Sequence, residues 1–375
     1  MKAKIRILIR RIKRSYKKDR EQWIKGGILT VILLVLAGLA LAVGYFTARP
    51  FWKEQICSSG KALLAEAISW TDFPCDGSVE ISALEDGAVI SCGGVLYHLD
   101  SRGNVMDRLD TGLAAVQLLS GHGPSAWSDN AVYCALPDGF ASMDMPSGVL
   151  ALDSDGRHIS VITRGSGYLT VTKLLDFTGQ ETGQIGLLDA AMVETAVAGN
   201  VTGGLCVDTR GVWSLRLYDL AGTELLRRDL PDGNRCHLKA AGEAFAVLCE
   251  NTILFYDIQG NEVGSGTLEQ GFPELWRTDA EGAVLCYGSG GCSTLLRIAM
   301  EGHLVGTVAH NGPIRDIALS DGKLYVLDYQ CVTVYDNSGR LLESEAAGAR
   351  AAVMAPGSGG LWLAGNGEIA KIITK

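Results

Sequence analysis

Histidine is scarce in this sequence: six residues in 375, at positions 98, 122, 158, 237, 303 and 310, and none sits in a catalytic signature. There is no Gly-x-Ser-x-Gly, no phosphate loop and no His-Glu-x-x-His, so the motifs of hydrolase, nucleotide and zinc-protease chemistry are missing. Cys-x-x-Cys and His-x-x-x-His spacings are missing too, which argues against a metal centre. Gly365-x-Gly367-x-x-Ala370 has the spacing of a dinucleotide fingerprint, but it opens a strand rather than a helix. No catalytic, cofactor or metal residue is assigned, and no enzyme activity is expected.

Positive charge is in excess only at the start. Of 33 Lys/Arg, eleven lie in residues 1–25, and the remaining 22 face 40 Asp/Glu, a formal charge of −18. Such a surface repels nucleic acid on average, and no basic stripe overrides it. Long apolar runs are absent with one exception, Ile28–Phe46, which carries no charge. At 1.5 Å per residue it spans about 28 Å, close to the hydrocarbon thickness of a bilayer. The basic flank predicts a cytoplasmic N-terminus and export of all that follows. A cleavable signal peptide is the rival reading, with Ala40-Leu41-Ala42 as its small-x-small site, but that site lies inside the apolar run. The expected organisation is a basic cytoplasmic segment over 1–26, a transmembrane helix over 27–47, a linker over 48–60 and an exported domain over 61–375.

The exported region breaks its apolar content into runs of four to seven residues separated by Gly, Asp and Asn, a β signature with no competing helical periodicity. Two columns recur. One is the turn Asp-x-x-Gly, at Asp100–Gly103, Asp176–Gly179, Asp219–Gly222, Asp257–Gly260 and Asp336–Gly339, with Ala299–Gly302 as a variant. Here Asp caps the turn and Gly supplies the left-handed residue of a type I turn plus bulge. The other is an apolar strand opened by a small or polar residue, at Gly87, Asn130, Gly156, Gly203, Gly242, Gly282, Gly322 and Gly359. A unit of roughly 40 residues with several short strands predicts propeller blades, because a single blade cannot bury both of its faces. The expected fold is an all-β propeller of eight blades, with seven as the alternative, preceded by one transmembrane helix. Glu368–Thr374 would form the third strand of the last blade and Ala62–Ser69 its fourth, closing the ring.

Segments such as Pro313-Ile-Arg-Asp-Ile-Ala-Leu-Ser-Asp-Gly-Lys-Leu-Tyr-Val-Leu-Asp resemble quinoprotein-like (PQQ-like) propeller repeats, and the layout is similar to bacterial single-pass membrane proteins with an exported propeller. Quinoprotein repeats carry a Trp after the turn glycine, where this chain has Met106, Leu225, Val263 or Leu342, and cofactor-bearing members have an adjacent Cys pair that is missing here. Both departures argue against a redox enzyme.

All ten Cys lie beyond the apolar run. Cys92, Cys134, Cys206, Cys249 and Cys286 are read as equivalent positions of different blades, too far apart to bond one another and serving as small buried hydrophobes. Cys286 with Cys292, and Cys57 with Cys75, are the possible disulfides. A ligand would bind at the top of the central channel, where the first strands bring His237, Arg277, Arg315 and Arg350, with Lys239 and Asp316 beside them; these cations would suit a carboxylate or phosphate, or else be paired with neighbouring acids. The functional expectation is a membrane-anchored extracytoplasmic interaction module that holds another envelope protein. The alternative is a small-ligand binder or sensor that uses the channel.

Overall fold

The computed structural model describes residues 70–75, 78–84, 86–119, 125–136, 139–231, 233, 235–289, 291–347, 351–357, 360–365 and 367–372. The chain divides into Met1–Ser59 and Gly60–Lys375, and every described residue belongs to the second unit. The basic segment, the apolar run, the linker, Cys57 and Ala62–Ser69 therefore lie outside the described residues, as does Arg350. No helix among the described residues is long and apolar enough to cross a membrane.

Thirty-two strands form eight four-stranded antiparallel sheets. Seven are simple meanders, numbered here as blades 1 to 7 in chain order. Their innermost strands are Val79–Leu84, Gln117–Leu118, Val149–Ser154, Ala190–Ala198, Cys236–Ala240, Leu275–Asp279 and Ile314–Ser320. Blade 8 takes Val353–Gly357, Gly360–Gly365 and Glu368–Ile372 from the end of the chain, and its outer strand, Trp70–Asp72, from the beginning. Trp70 pairs with Ala370 and Asp72 with Glu368. The closing strand thus lies just downstream of the expected 62–69.

Closure also shows in the core. Eight apolar layers lie one between each pair of neighbouring blades, from Leu96 with Tyr133 between blades 1 and 2 to Ile90 with Trp362 between blades 1 and 8. A strand such as Ala244–Cys249, buried along its whole length, is apolar on both faces because a blade lies against each. A ring satisfies all sixteen sheet faces, which an open stack could not do.

The Asp-x-x-Gly turns join the third and fourth strands of blades 1, 3, 4, 5 and 7, with Ala299–Gly302 in blade 6. In each, the glycine N–H donates to the carbonyl of the turn's first residue, and the glycine lies at φ between +78° and +91°. One Asp219 carboxylate oxygen accepts the N–H groups of Ala221 and Thr223 at 3.0 and 2.8 Å, and Asp100, Asp176 and Asp336 repeat the pattern. A register shift follows in the ladder, as the bulge requires. Two of these glycines have a second reason to be glycine. A Cβ on Gly302 would lie 2.1 Å from the Ser265 carbonyl oxygen in the outer strand of blade 5, and one on Gly222 would lie 2.5 Å from the Gln184 carbonyl oxygen of blade 3. Close backbone contact joins neighbouring blades where quinoprotein repeats dock a Trp.

Two expectations about the repeat change. Asn130–Cys134 belongs to the third strand of blade 2, Ala131–Leu136, because the second is the short Ser125–Ser128. Cys134 therefore is not equivalent to Cys206. The inner strand of blade 2, Gln117–Leu118, has only two described residues.

Cysteine pairing also differs. Cys75 bonds Cys92, and Cys236 bonds Cys249, while the Cys57 of the expected Cys57–Cys75 pair lies outside the described residues. Cys286 and Cys292 are free thiols, the first buried and the second exposed. Their strands are paired, but Cys286 lies opposite Leu295 and Cys292 opposite Ser289, so the register keeps the two thiols apart. Cys134 and Cys206 are buried free thiols, as expected of small core residues. Ring equivalence excluded bonds among these cysteines, but not bonds to a partner within the same blade: Cys236 and Cys249 are directly opposed on adjacent strands, with Cα atoms 4.2 Å apart.

Candidate functional site

Strand alternation gives the ring two distinct faces. The Asp-x-x-Gly turns and the first-to-second turns share the lower face. The second-to-third turns and the connections between blades share the upper face, where every inner strand begins. His237, Arg277 and Arg315 are the second or third residues of their inner strands, so they stand at the upper mouth of the central channel on blades 5, 6 and 7. Lys239 and Asp153 come later in theirs and lie deeper.

The mouth is built from coupled charges. His237 Nδ1 lies 2.5 Å from Glu194 Oε1, and Glu194 Oε2 accepts the Leu238 N–H at 2.7 Å. Arg235 Nε donates to His237 Nε2 at 3.2 Å, so a ring carrying its proton on Nδ1 satisfies both neighbours. The Arg235 guanidinium also lies over the Phe272 ring, 4.1 Å from its centroid. Arg277 donates to Asp316 at 3.0 Å and to the Trp276 carbonyl at 3.2 Å. Arg315 donates to the Ala351 carbonyl and stacks 3.9 Å over Tyr329. Among the described residues, Arg235 and Arg315 meet no carboxylate, whereas His237 and Arg277 each do.

Farther in, burial dominates. It pushes the Asp153 carboxyl up to about 7, against the stabilising Val197 N–H and the charge of Lys239. It brings the Lys239 ammonium down to about 8, helped by the nearby Arg277 charge. Both side chains still touch solvent, as groups lining a narrow channel do. Asp316 is raised by burial, opposed by Arg277 and by the N–H groups of Met354 and Ile317. Of these groups, Asp316 is paired with Arg277. The resulting channel is lined by polar groups of both charges.

A structural role emerges that the sequence did not reveal. Glu80, Asp153, Glu194 and Asp316 each sit on an inner strand and accept an N–H from the inner strand of the next blade: Leu118 at 2.6 Å, Val197 at 2.8 Å, Leu238 at 2.7 Å and Met354 at 3.1 Å. Ladder irregularities immediately precede Glu194 and Asp316 and turn these side chains toward the neighbour. The available signal was an acid inside an otherwise apolar first strand, one blade length before its partner.

Of the predicted ligand residues, the structure places His237, Arg277 and Arg315 on successive blades around one mouth. Elsewhere, a crevice between blades 6 and 7, lined by Leu295, Arg297, Val308, Leu324 and Asp336, holds about 10 Å³, room for a single water. No group of three or more His, Cys, Asp or Glu among the described residues could hold a metal ion.

No protein-family model matches the chain, and no curated protein matches it in sequence. Solved structures do match. BamB from Moraxella catarrhalis is 12% identical with a TM-score of 0.55, over 82% of this chain and 99% of that one. The C-terminal WD40 domain of Sif2 is 12% identical at a TM-score of 0.57, over 83% and 99% of the two chains. Apo AztD from Citrobacter koseri is 16% identical at 0.53, over 72% and 86%. At such identities the likeness shows the fold alone: this chain is similar to β-propellers of the PQQ-like and WD40 kinds.

Proposed function

We propose that the protein is a membrane-anchored, extracytoplasmic propeller that serves as a protein-interaction module of the cell envelope. The observation that carries this reading is the state of the channel. Its groups at the mouth and farther in are engaged with their neighbours, through Arg277 with Asp316, His237 with Glu194, and Asp153 with the Val197 N–H, so recognition falls to the exposed surface around them. The propeller fold fits such a module. Anchoring rests on the uncharged run Ile28–Phe46 behind its basic flank, and export rests on the asymmetry of that charge.

The test is purification of tagged full-length protein from detergent-solubilised membranes, with mass spectrometry of what accompanies it. A stoichiometric envelope protein supports the reading. A partnerless monomer overturns it. Protease protection in sealed vesicles tests the topology: the domain beyond residue 60 should be cleaved only from the extracytoplasmic side.

A further inference from the structure

Blade 8 differs from the others in how its outer strand is held. In blades 1 to 7 the outer strand follows the third strand directly in the chain, so the turn between them keeps the pair together. Trp70–Asp72 has no such link to Glu368–Ile372, and it meets that strand over three residue pairs among the described residues. A pairing this short opens readily, and without a turn nothing local returns the strand to its place.

The residues that follow the strand do what the turn does elsewhere. The Phe73 N–H donates to the Gly367 carbonyl at 2.6 Å, and the Phe73 ring packs edge-on to Tyr97 of blade 1, with centroids 4.6 Å apart. The Tyr97 hydroxyl donates to the Pro74 carbonyl at 3.0 Å. Cys75 then bonds Cys92, and both lie in the apolar layer between blades 1 and 8 with Ile81, Tyr97 and Ile369. Blade 5 shows that this bond is not a staple within a hairpin. Cys92 and Cys249 both end the second strand of their blade. Cys249 bonds Cys236, which stands directly opposite on the first strand. The residue opposite Cys92 is Val79, and Cys92 bonds instead to Cys75, outside the four strands of blade 1. One strand position thus joins two paired neighbours in blade 5, and in blade 1 joins the exit of the closing strand to the next blade.

We propose that the Cys75–Cys92 bond is the latch of the ring, holding the closing strand on blade 8 of its own chain. With the bond in place, the three residues from Asp72 to the pinned Cys75 reach at most about 10 Å, so an opened strand stays beside its site. Without it, the next point fixed in a blade through the backbone is Val79, seven residues on, and a reach of about 25 Å lets the strand leave blade 8. The bond therefore replaces the missing turn by shortening the tether from the other end of the strand.

Hydrogen exchange read by mass spectrometry on full-length protein in detergent micelles is the test. In Cys75→Ser with Cys92→Ser, peptides covering Trp70–Asp72 and Glu368–Ile372 should exchange faster than in wild type, with a gain at least about tenfold greater than any in blades 3 to 6. Cys236→Ser with Cys249→Ser removes a bond of similar sequence separation, 13 residues against 17, and should show no such excess at these two peptides. No excess in the first variant, or the same excess in the second, overturns the proposal. If the first variant does not fold, folded wild type is treated with a phosphine, which is oxidised to its oxide as each bond takes up two electrons and two protons. Both bonds are then lost in one molecule, and the closing pair should gain exchange beyond blade 5. A gain no larger than that of blade 5 overturns the latch.

Discussion

Glu194 divides its carboxylate between two groups of the next blade, the His237 ring at 2.5 Å and the Leu238 N–H at 2.7 Å. One side chain therefore joins the inner strands of blades 4 and 5 and fixes the orientation of a channel-mouth histidine. Asp316 does the same between blades 7 and 8 while also holding Arg277 from blade 6.

Glu194→Ala should destabilise the domain by about 1–3 kcal/mol, because it leaves the Leu238 N–H without its acceptor. Urea unfolding followed by circular dichroism reads this directly. The exposed Glu269→Ala should stay within about 0.5 kcal/mol of wild type.

Gly302 and Gly211 form a matched pair, at φ +86° and +83°. A Cβ on Gly302 meets the Ser265 carbonyl oxygen at 2.1 Å, whereas one on Gly211 meets nothing within 4 Å. Gly211→Ala should cost only the left-handed conformation, about 1–2 kcal/mol. Gly302→Ala should cost clearly more, because blades 5 and 6 must also move apart. Equal losses in thermal unfolding would show that the contact between blades contributes nothing.

The channel charges set a pH dependence. Asp153, raised to about 7 in the folded state, keeps its proton between its ordinary unfolded value of 3.8 and 7 while the unfolded chain loses it, so its contribution to stability falls as pH rises through that window. Lys239, lowered to about 8, is neutral when folded but still charged when unfolded between 8 and its ordinary 10.5, so its contribution rises with pH there. Asp153→Asn keeps an acceptor for the Val197 N–H and removes the first effect. The difference in stability between variant and wild type should therefore grow in the variant's favour from pH 4 to 7; a flat difference would contradict the burial of this carboxyl.

Alkylation should report the thiol pattern. Under native conditions iodoacetamide should label Cys292 and spare Cys134, Cys206 and Cys286, which react only after unfolding. Non-reducing peptide mapping should recover Cys75 with Cys92 and Cys236 with Cys249. Removing the latter bond by Cys236→Ser with Cys249→Ser should cost about 3 kcal/mol, the order expected for a loop of this length.

The amino-acid sequence by itself determined what local chemistry can determine. The Asp-x-x-Gly turns were legible because Asp219 finds Ala221 and Thr223, and Gly222 finds its left-handed conformation, within five residues of chain. The repeat of these turns implied blades, and the last blade takes its outer strand from Trp70–Asp72. Tertiary structure decided whatever depends on register between segments a blade apart. Asp316 reads as a solvated acid until the ring brings Arg277 and the Met354 N–H to its two oxygens. The bond from Cys236 to Cys249 needed the exact opposition of two strands, and blade 2 needed its neighbours to stabilise an inner strand of two residues. Turns are settled by steric and hydrogen-bonding preferences over a few residues. Clasps, thiol pairs and the charge of the channel arise only when a closed ring puts distant inner strands side by side.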